Sequence, residues 1–476
     1  AQMAMRPRLR PRCLDDLVIE VAIVRPGPIQ GGMVHPYLKR RQGLEPIEYP
    51  GAAVREALSR TLGVPIFQEQ VMQLAILAAG FTAGEADQLR RSMAAWRRKG
   101  GLEKFHDRIV DGMLTRGYTR SFADRVFRQI EGFGEYGFPE SHAASFALLV
   151  YVSCWIKCHH PDAFLAAMLN AQPLGFYSPS QLVQDARRNG VVVLPVDVQI
   201  SAIESQLENR LGQQPNDPPP AKTRSAAHDY GVRLGLNRIA GLSADGMQRI
   251  IEARQCCLQF ETVEDLAIRA SLDRQDLNCL AASGALQSLA GNRHQATWQS
   301  SGQHRLPAVL KNTRINEPPI TLTPPTEGEN TVADYASLGL TLGRHPLALL
   351  RHALDCQGIQ PAANLAGYRH GRLARAAGLV THRQRPGTAN GTLFLSLEDD
   401  TGIVNVIVWP DVLARFYKAV LYSQLMVVYG TWQRDQGIDP ASKGQVQHLL
   451  AQRIEDQTDL LSRLLGNLET YSRDFH

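Results

Sequence analysis

Acidic clusters stand at Asp15–Asp16 and at Glu398–Asp399–Asp400. Two-metal transfer chemistry needs carboxylates that hold ions ~3.5–4 Å apart. Neither cluster reads as an inward-facing Asp-x-Asp pair on a central strand. The first precedes the strand-like run "LVIEVAIV" and the second falls in a hairpin, so both read as solvated turn acids. Cys154, Cys158 and His159 share helical spacing, but the chain has no Cys-x-x-Cys pair, so structural zinc is not expected. Buried thiols on a core helix are the expected reading. No Walker A loop, His-Glu-x-x-His or Gly-x-Ser-x-Gly occurs. The reading assigns no catalytic residue and no metal ligand.

Groups that could hold an anion are more numerous. Arg90, Arg91, Arg97, Arg98 and Lys99 fall within ten residues, with no carboxylate after Asp87. Asp87 can pair with Arg91 four positions on, but the excess of cations suits phosphate, whose oxygens arginine grips bidentately. Helical spacing puts Arg90 and Arg97 on one face and Arg91 and Arg98 on the next. Ser141 reads as an N-cap and His142 as the start of a long apolar helix, whose N-terminus attracts anions. Lys157, His159 and His160 sit at its other end, where they suit the C-terminal dipole. At "NRIAGLSADGMQRIIEAR" a helix-hairpin-helix reading is available: Gly241 permits a tight turn and Ser243 caps the following helix. Phe394, Trp409, Tyr429 and Trp432 could stack bases on a barrel face or fill its core.

Charge agrees with an anionic partner for the front of the chain. Residues 1–128 carry 21 Lys and Arg against 13 Asp and Glu, and the remainder carry 30 against 33, within a net charge of +5. Nucleic acid or nucleotide is the common choice for such a front. Seven scattered cysteines exclude a disulfide framework and suit a reducing cytosol. No signal peptide opens the chain, and the apolar run Ala143–Ile156 is too short to span a bilayer, so the expectation is cytoplasmic, with no membrane. The first residue is not an initiator Met, as in a piece cut from something longer.

The elements that must position these groups follow from periodicity. Residues 52–130 read as amphipathic helices. Residues 214–229 are Pro-rich and polar, a loop, and a second loop covers roughly 300–332. Residues 230–290 return to short helices, and "SLGLTLGRHPLALLRHAL" links onward. From Arg372 the period switches to two and gives five strands, with a helix, "PDVLARFYKAVL", after the third. That is the order of an OB-fold barrel.

Three ordered stretches are specific: "VAIVRPGPIQGGMVHPYLKRRQG", "LGVPIFQEQVMQLAILAAGFTAGEADQLRRSM" and "GFGEYGFPESHAASFALLVYVSCWIKCHHP". Together they resemble the fingers of bacterial C-family polymerases, the DNA polymerase III alpha subunits. "MAAWRRKGGLEKF", "AQPLGFYSPSQLVQDARRNGVVVLPVDV", "LGLTLGRHPLALLR" and the terminal "SRDFH" are similar to the error-prone branch associated with damage-induced mutagenesis. The resemblance implies a multidomain α+β fold. Its parts are mainly α-helical fingers over 1–195, a variable segment and linker over 196–229 and a helix-hairpin-helix DNA-binding region over 230–298. A linker and connecting helix over 299–371, a five-stranded OB-fold barrel over 372–457 and a tail over 458–476 follow. It implies template-directed addition of dNTPs to a primer 3′ end, with Mg2+ held by palm aspartates upstream of Ala1. The chain alone would then be inactive.

On this resemblance Arg25, Arg90, Arg91, Ser141 and His142 would contact nucleotide. Arg97, Arg98, Lys99, Gly241, Ser243, Trp409 and Trp432 would contact DNA. Implied partners are primer–template DNA, the incoming dNTP, accessory mutagenesis proteins and, through them, the sliding clamp, for which no Gln-x-x-[Leu/Met]-Phe peptide is present. A non-catalytic DNA-binding or scaffold protein that keeps these domains is the competing class.

Overall fold

In a computed structural model the described residues are 9–23, 34–99, 103–132, 139–175, 177–209, 230–256, 259–303, 320–434, 446–464 and 473–475. The chain divides into two compact units. One is Ala1–Cys154 with Gly387–Asn390 and Arg434–Val446, and the other is the remainder.

The first unit is helical. It contains α1 (Leu14–Ile23), α2 (Val34–Arg41), α3 (Ala52–Leu58), α4 (Gln68–Ala79), α5 (Ala83–Lys99), α6 (Glu103–Thr115), α7 (Arg120–Gly132) and most of α8 (Glu140–His159). The expected strand "LVIEVAIV" lies inside α1. Leu14, Leu17, Val18, Val21 and Ala22 recur at helical spacing. Asp16 fixes the start by accepting the N–H groups of Arg12 (2.7 Å) and Cys13 (3.4 Å), and Arg41 Nη2 donates to it at 2.6 Å. Asp16 is therefore buried and ion-paired, not a solvated turn acid. Burial pushes its carboxyl up, but the Arg41 and backbone hydrogen bonds outweigh that and hold it below its ordinary value.

A buried amide orders the entry to α4. Gln70 Oε1 accepts from Ile66 and Phe67 N–H, and its Nε2 donates to Ala57 O and Thr61 Oγ1. All four side-chain hydrogen bonds stay inside the unit, as a buried polar group requires. Around it Ile66, Phe67, Val71, Leu74, Leu89 and Met93 form the centre of one apolar core.

The structure corrects the reading of α8 as a buried helix. Only Ala143 and Ala147 are buried along it, while Leu149 is 60% and Trp155 47% exposed. Cys154 and Cys158 are exposed thiols rather than core residues. With 20 residues, α8 is also long and apolar enough to cross a membrane by length and composition, unlike the shorter run read from the sequence.

The second unit continues with α9 (Pro161–Asn170), α10 (Pro179–Arg188) and a small sheet of β1 (Val192–Leu194), β2 (Gln206–Asn209) and β3 (Tyr230–Arg233). In it β3 lies between parallel β1 and antiparallel β2. Next come α11 (Ala244–Cys256), α12 (Val263–Arg269), α13 (Arg274–Ser283), α14 (Gln287–Ala290) and α15 (Arg293–Ser301). Then α16 (Glu327–Leu338), whose first half falls within the expected second loop, α17 (Pro346–Cys356) and α18 (Ala362–Leu365) lead to the barrel.

The barrel strands are β4 (Leu373–Gln384), β5 (Leu393–Glu398), β6 (Ile403–Val408), β7 (Leu425–Arg434) and β8 (Gln447–Asp456). The order β5-β6-β8-β7-β4 closes through β4–β5 pairing, with β6 and β8 parallel. This is the five-stranded OB arrangement expected from the period-two pattern. The interposed helix is two short ones, α19 (Pro410–Arg415) and α20 (Tyr417–Tyr422). Alternation is clean: Leu393, Leu395, Leu397, Val404, Val406 and Val408 point inward. Outside, Ala377, Leu379, Leu425 and Val427 are covered by Leu347, Leu350 and Leu354 of α17 and Tyr335 of α16. A short β9 (Arg473–Phe475) adds parallel to the end of β4.

Candidate nucleic-acid interface

The cations of α5 fall into two groups. Arg90 Nη2 and Arg91 Nη2 both reach Asp87, at 2.8 and 2.7 Å, with side chains 40% and 74% exposed. One carboxylate thus serves two guanidiniums, and the Arg90 hydrogen bond, ahead of the Arg91 charge, lowers the Asp87 pKa from its ordinary value. The pair is solvent-facing and can reorganise toward an incoming anion. Arg97, Arg98 and Lys99 lie in the last turns of α5, but their side chains are outside the described residues, as is Arg25 altogether.

At the start of α8, Ser141 lies within the first turn rather than at the cap, because the helix begins at Glu140. The Glu140 N–H donates to Glu69 Oε2 at 2.9 Å, and the Glu140 carboxylate pairs with Arg60, which also reaches Asp15 at 2.6 Å. Ser141 and His142 are exposed and line an open recess with Pro139 and Ser145. His142 packs edge-on against Phe146 at 4.6 Å. At the other end, Lys157 pairs with Asp185 of α10 at 2.6 Å, and Trp155 lies against His159 and His160. Lys157 and His159 stand in the last turn of α8, where the sequence reading put them.

The hairpin before α11 has the expected turn: Gly241 adopts φ +79°, a conformation natural to glycine. Ser243 Oγ accepts the Gly246 N–H at 2.9 Å, as a cap does. Yet Ser243 does not offer its own donors outward. Its N–H and hydroxyl donate to Asp276 Oδ1 and Oδ2, at 3.0 and 2.9 Å, and Arg249 Nη2 approaches Oδ2 at 3.4 Å. Asp276 is 1% exposed. A carboxylate of α13 therefore occupies the position where an outside phosphate would meet the Ser243 amide. The sequence placed a phosphate there; the structure places an internal anion.

The barrel aromatics divide. Trp432 is 3% exposed and belongs to the core, so the expected stacking role fails: β7 alternation points it inward with Met426 and Val428. Trp409 is 48% and Phe394 36% exposed, beside β6 and on β5. Tyr429 faces outward, opposite Arg375 in register.

Of the acids at the β5–β6 turn, Asp400 is exposed but the other two are not solvated. Glu398 and Asp399 are 4% and 3% exposed. Asp399 Oδ1 accepts the N–H groups of Thr401 and Gly402, and Oδ2 accepts that of Ala362 at 2.8 Å and is met by Arg351 Nη2 at 3.2 Å. The turn is a clamp between barrel and linker. Burial pushes Glu398 up to about 7 and His345, 3.9 Å away, down to about 4. Among the described residues no three His, Cys, Asp or Glu side chains converge as metal ligands.

Three family descriptions match in the order the fold displays. Residues 1–117 match the bacterial DNA polymerase III alpha subunit finger domain. Residues 190–296 match a helix-hairpin-helix motif and 374–456 an OB-fold nucleic acid binding domain. The whole chain is 56% identical to an error-prone DNA polymerase of Bordetella bronchiseptica over 478 residues, 43% of that protein. It is 55% identical to the one of Alkalilimnicola ehrlichii and 52% to that of Methylococcus capsulatus, covering 44% of each. Along its whole length the chain is similar to error-prone DNA polymerases. It spans less than half the length of these relatives.

Two features escaped the sequence reading. Asp276 was invisible because its partner Ser243 lies 33 residues away. The basic run "YRHGRLAR" from Tyr368 to Arg375, with no carboxylate, was a usable signal beside the barrel.

Proposed function

We infer that the protein is an error-prone DNA-directed DNA polymerase. It adds dNTPs to a primer 3′ end opposite a template, including damaged template, and this chain supplies nucleotide and DNA contacts. The observation that carries the reading is identity above one half along the whole chain to polymerases of that name. Exposed Arg90 and Arg91 would exchange Asp87 for triphosphate oxygens, with Ser141 and His142 alongside; residues 97–99 would follow the DNA. Ser243 instead bonds within the hairpin region and Trp432 fills the barrel core. Magnesium supplies the charge neutralisation this chemistry uses; no residue described in this chain holds it. The reading also takes the protein as cytoplasmic and off the membrane, joined to accessory mutagenesis proteins and through them to the clamp.

Binding to fluorescent primer–template DNA, measured at several salt concentrations with unrelated sequences, tests the DNA half. Affinity falls with salt and ignores sequence if contacts are to phosphates. Strong preference for one sequence, or a flat salt response, overturns it. The chain alone, given magnesium and four dNTPs, is expected not to extend the primer, and robust extension would reveal a carboxylate set among the residues not described.

A further inference from the structure

OB barrels commonly bind oligonucleotides on the face of their second and third strands. In this barrel those strands are β5 and β6, and their charge is wrong for that task. From Leu393 to Trp409 there is no Lys or Arg, while Glu398, Asp399 and Asp400 are present. The outward positions are Phe394, Ser396, Ile403, Asn405 and Ile407, apolar or neutral throughout. A polyanion gains affinity chiefly from cations that release its counterions, and this face has none.

The barrel's cations stand on another face. The run Tyr368–Arg375 carries Arg369, His370, Arg372 and Arg375 and no carboxylate. Arg369, Arg372 and Arg375 are exposed and form no ion pair among the described residues. The Arg372 guanidinium lies 3.8 Å from the Tyr368 ring centroid. Arg375 of β4 and Arg453 of β8 both approach the Tyr429 ring of the strand between them, at 5.6 and 5.4 Å. One carboxylate is present, Glu455, which accepts from Tyr429 Oη at 3.2 Å and pairs with Arg453. Among the described residues Arg375 has no carboxylate partner, and its Nη1 donates to Gln357 O.

The position of this strip is enforced by the fold. On β4 and β7 the outward residues at one end are covered by α16 and α17. At the other end, Leu373, Arg375 and Thr431 lie outside that cluster, Tyr429 packs only against its edge, and Leu373 is 72% exposed. Cations laid over aromatic rings keep a flat, oriented guanidinium that can meet phosphate with its edge and a base with its plane.

We propose that single-stranded DNA binds this barrel on the β4–β7–β8 face, through Arg372, Arg375 and Arg453, and not on the β5–β6 face. The proposal rests on the DNA-binding reading above. Single strand is chosen over duplex because ring and guanidinium planes reward unstacked bases; an acidic peptide would use the charges but not the planes.

The test is fluorescence anisotropy with labelled oligo-dT and the 476-residue chain, over a salt series. Arg372→Ala/Arg375→Ala/Arg453→Ala is expected to weaken binding about tenfold or more at low salt. It lowers the slope of log affinity against log salt by about 2, at roughly 0.7 per phosphate contact on a single strand. Phe394→Ala/Trp409→Ala is expected to stay within about twofold. Loss in the aromatic double variant with none in the arginine triple variant overturns the face assignment alone. Absence of binding by wild type overturns the DNA reading and this proposal with it. Displacement of the oligomer by polyglutamate, with equal binding of oligo-dT and an abasic oligomer, points to a charge-only site and also overturns the proposal. Should the triple variant fail to melt cooperatively, Arg→Gln at the same positions removes charge while keeping the stems that pack on the rings.

Discussion

Replacing Asp276 with alanine tests whether the hairpin is locked by its own carboxylate. The side chain accepts two short hydrogen bonds from Ser243, at 3.0 and 2.9 Å, and a longer approach from Arg249 at 3.4 Å. Hydrogen bonds to a charged group contribute ~1.5–3 kcal/mol each. Ser243 is exposed, so water can replace part of what is lost and the low end applies, giving about 3 kcal/mol for the pair. For a unit of this size that is about 6 °C in melting temperature, at roughly 2 °C per kcal/mol. Ser243→Ala keeps the amide bond to Asp276 but loses the hydroxyl bond to Asp276 and the cap on Gly246, at a cost of about 2.5 kcal/mol, or about 5 °C. Because Ser243 faces Asp276 and not solvent phosphate, its substitution should leave DNA affinity within about twofold. Differential scanning calorimetry and anisotropy on both variants decide the matter. Asp276→Ala melting with wild type refutes the lock. So does Ser243→Ala weakening DNA binding severalfold at an unchanged melting temperature.

Burial of the clamp at the β5–β6 turn predicts a masked pH dependence. Glu398 is raised to about 7 and His345 lowered to about 4, in a setting shared with Arg188, Arg351, Asp399 and Asp400. A raised carboxyl gives stability that is present below pH 4.5 and lost as pH rises through about 7. A depressed histidine gives stability that is present above pH 6.5 and lost as pH falls through about 4. The two slopes oppose each other over the shared window. Glu398→Gln should therefore make denaturant stability climb with pH across it relative to wild type, by up to roughly 3 kcal/mol. His345→Asn should make it fall, and parallel curves for all three proteins would be the wrong result. Trp432→Ala should cost about 3–5 kcal/mol as a core truncation, against under about 1 for Trp409→Ala at a half-exposed site; equal costs by urea titration would contradict the inward placement.

The barrel was legible because alternation over five runs leaves one solution, and its closure follows from the strand order. The same alternation, counted along β7, would have placed Trp432 with Met426 and Val428 inside. "LVIEVAIV" misled because a short apolar run fits strand or helix, and only Asp16, three residues after Cys13, marks a helix start. Glu398 and Asp399 were misjudged, unlike exposed Asp400, since the partners of Asp399, Arg351 and the Ala362 N–H, come from elements that no local pattern connects. The apolar content of α8 correctly signalled a helix, but composition does not say whether a neighbour covers it. Arg90 and Arg91 were located on one helix beside Asp87, as their spacing requires.

The central claim is tested most directly in a chimera. This chain replaces its matching span in the Bordetella bronchiseptica polymerase, to which it is 56% identical throughout. Primer extension is then measured with dNTP titration, alongside Arg90→Ala and Arg91→Ala. The account predicts an active chimera whose arginine variants raise the apparent KM for dNTP severalfold, with primer–template affinity and melting temperature unchanged. A chimera that folds and binds primer–template yet does not extend it would contradict the polymerase reading. Variants with normal dNTP affinity would contradict the assignment of the nucleotide contacts.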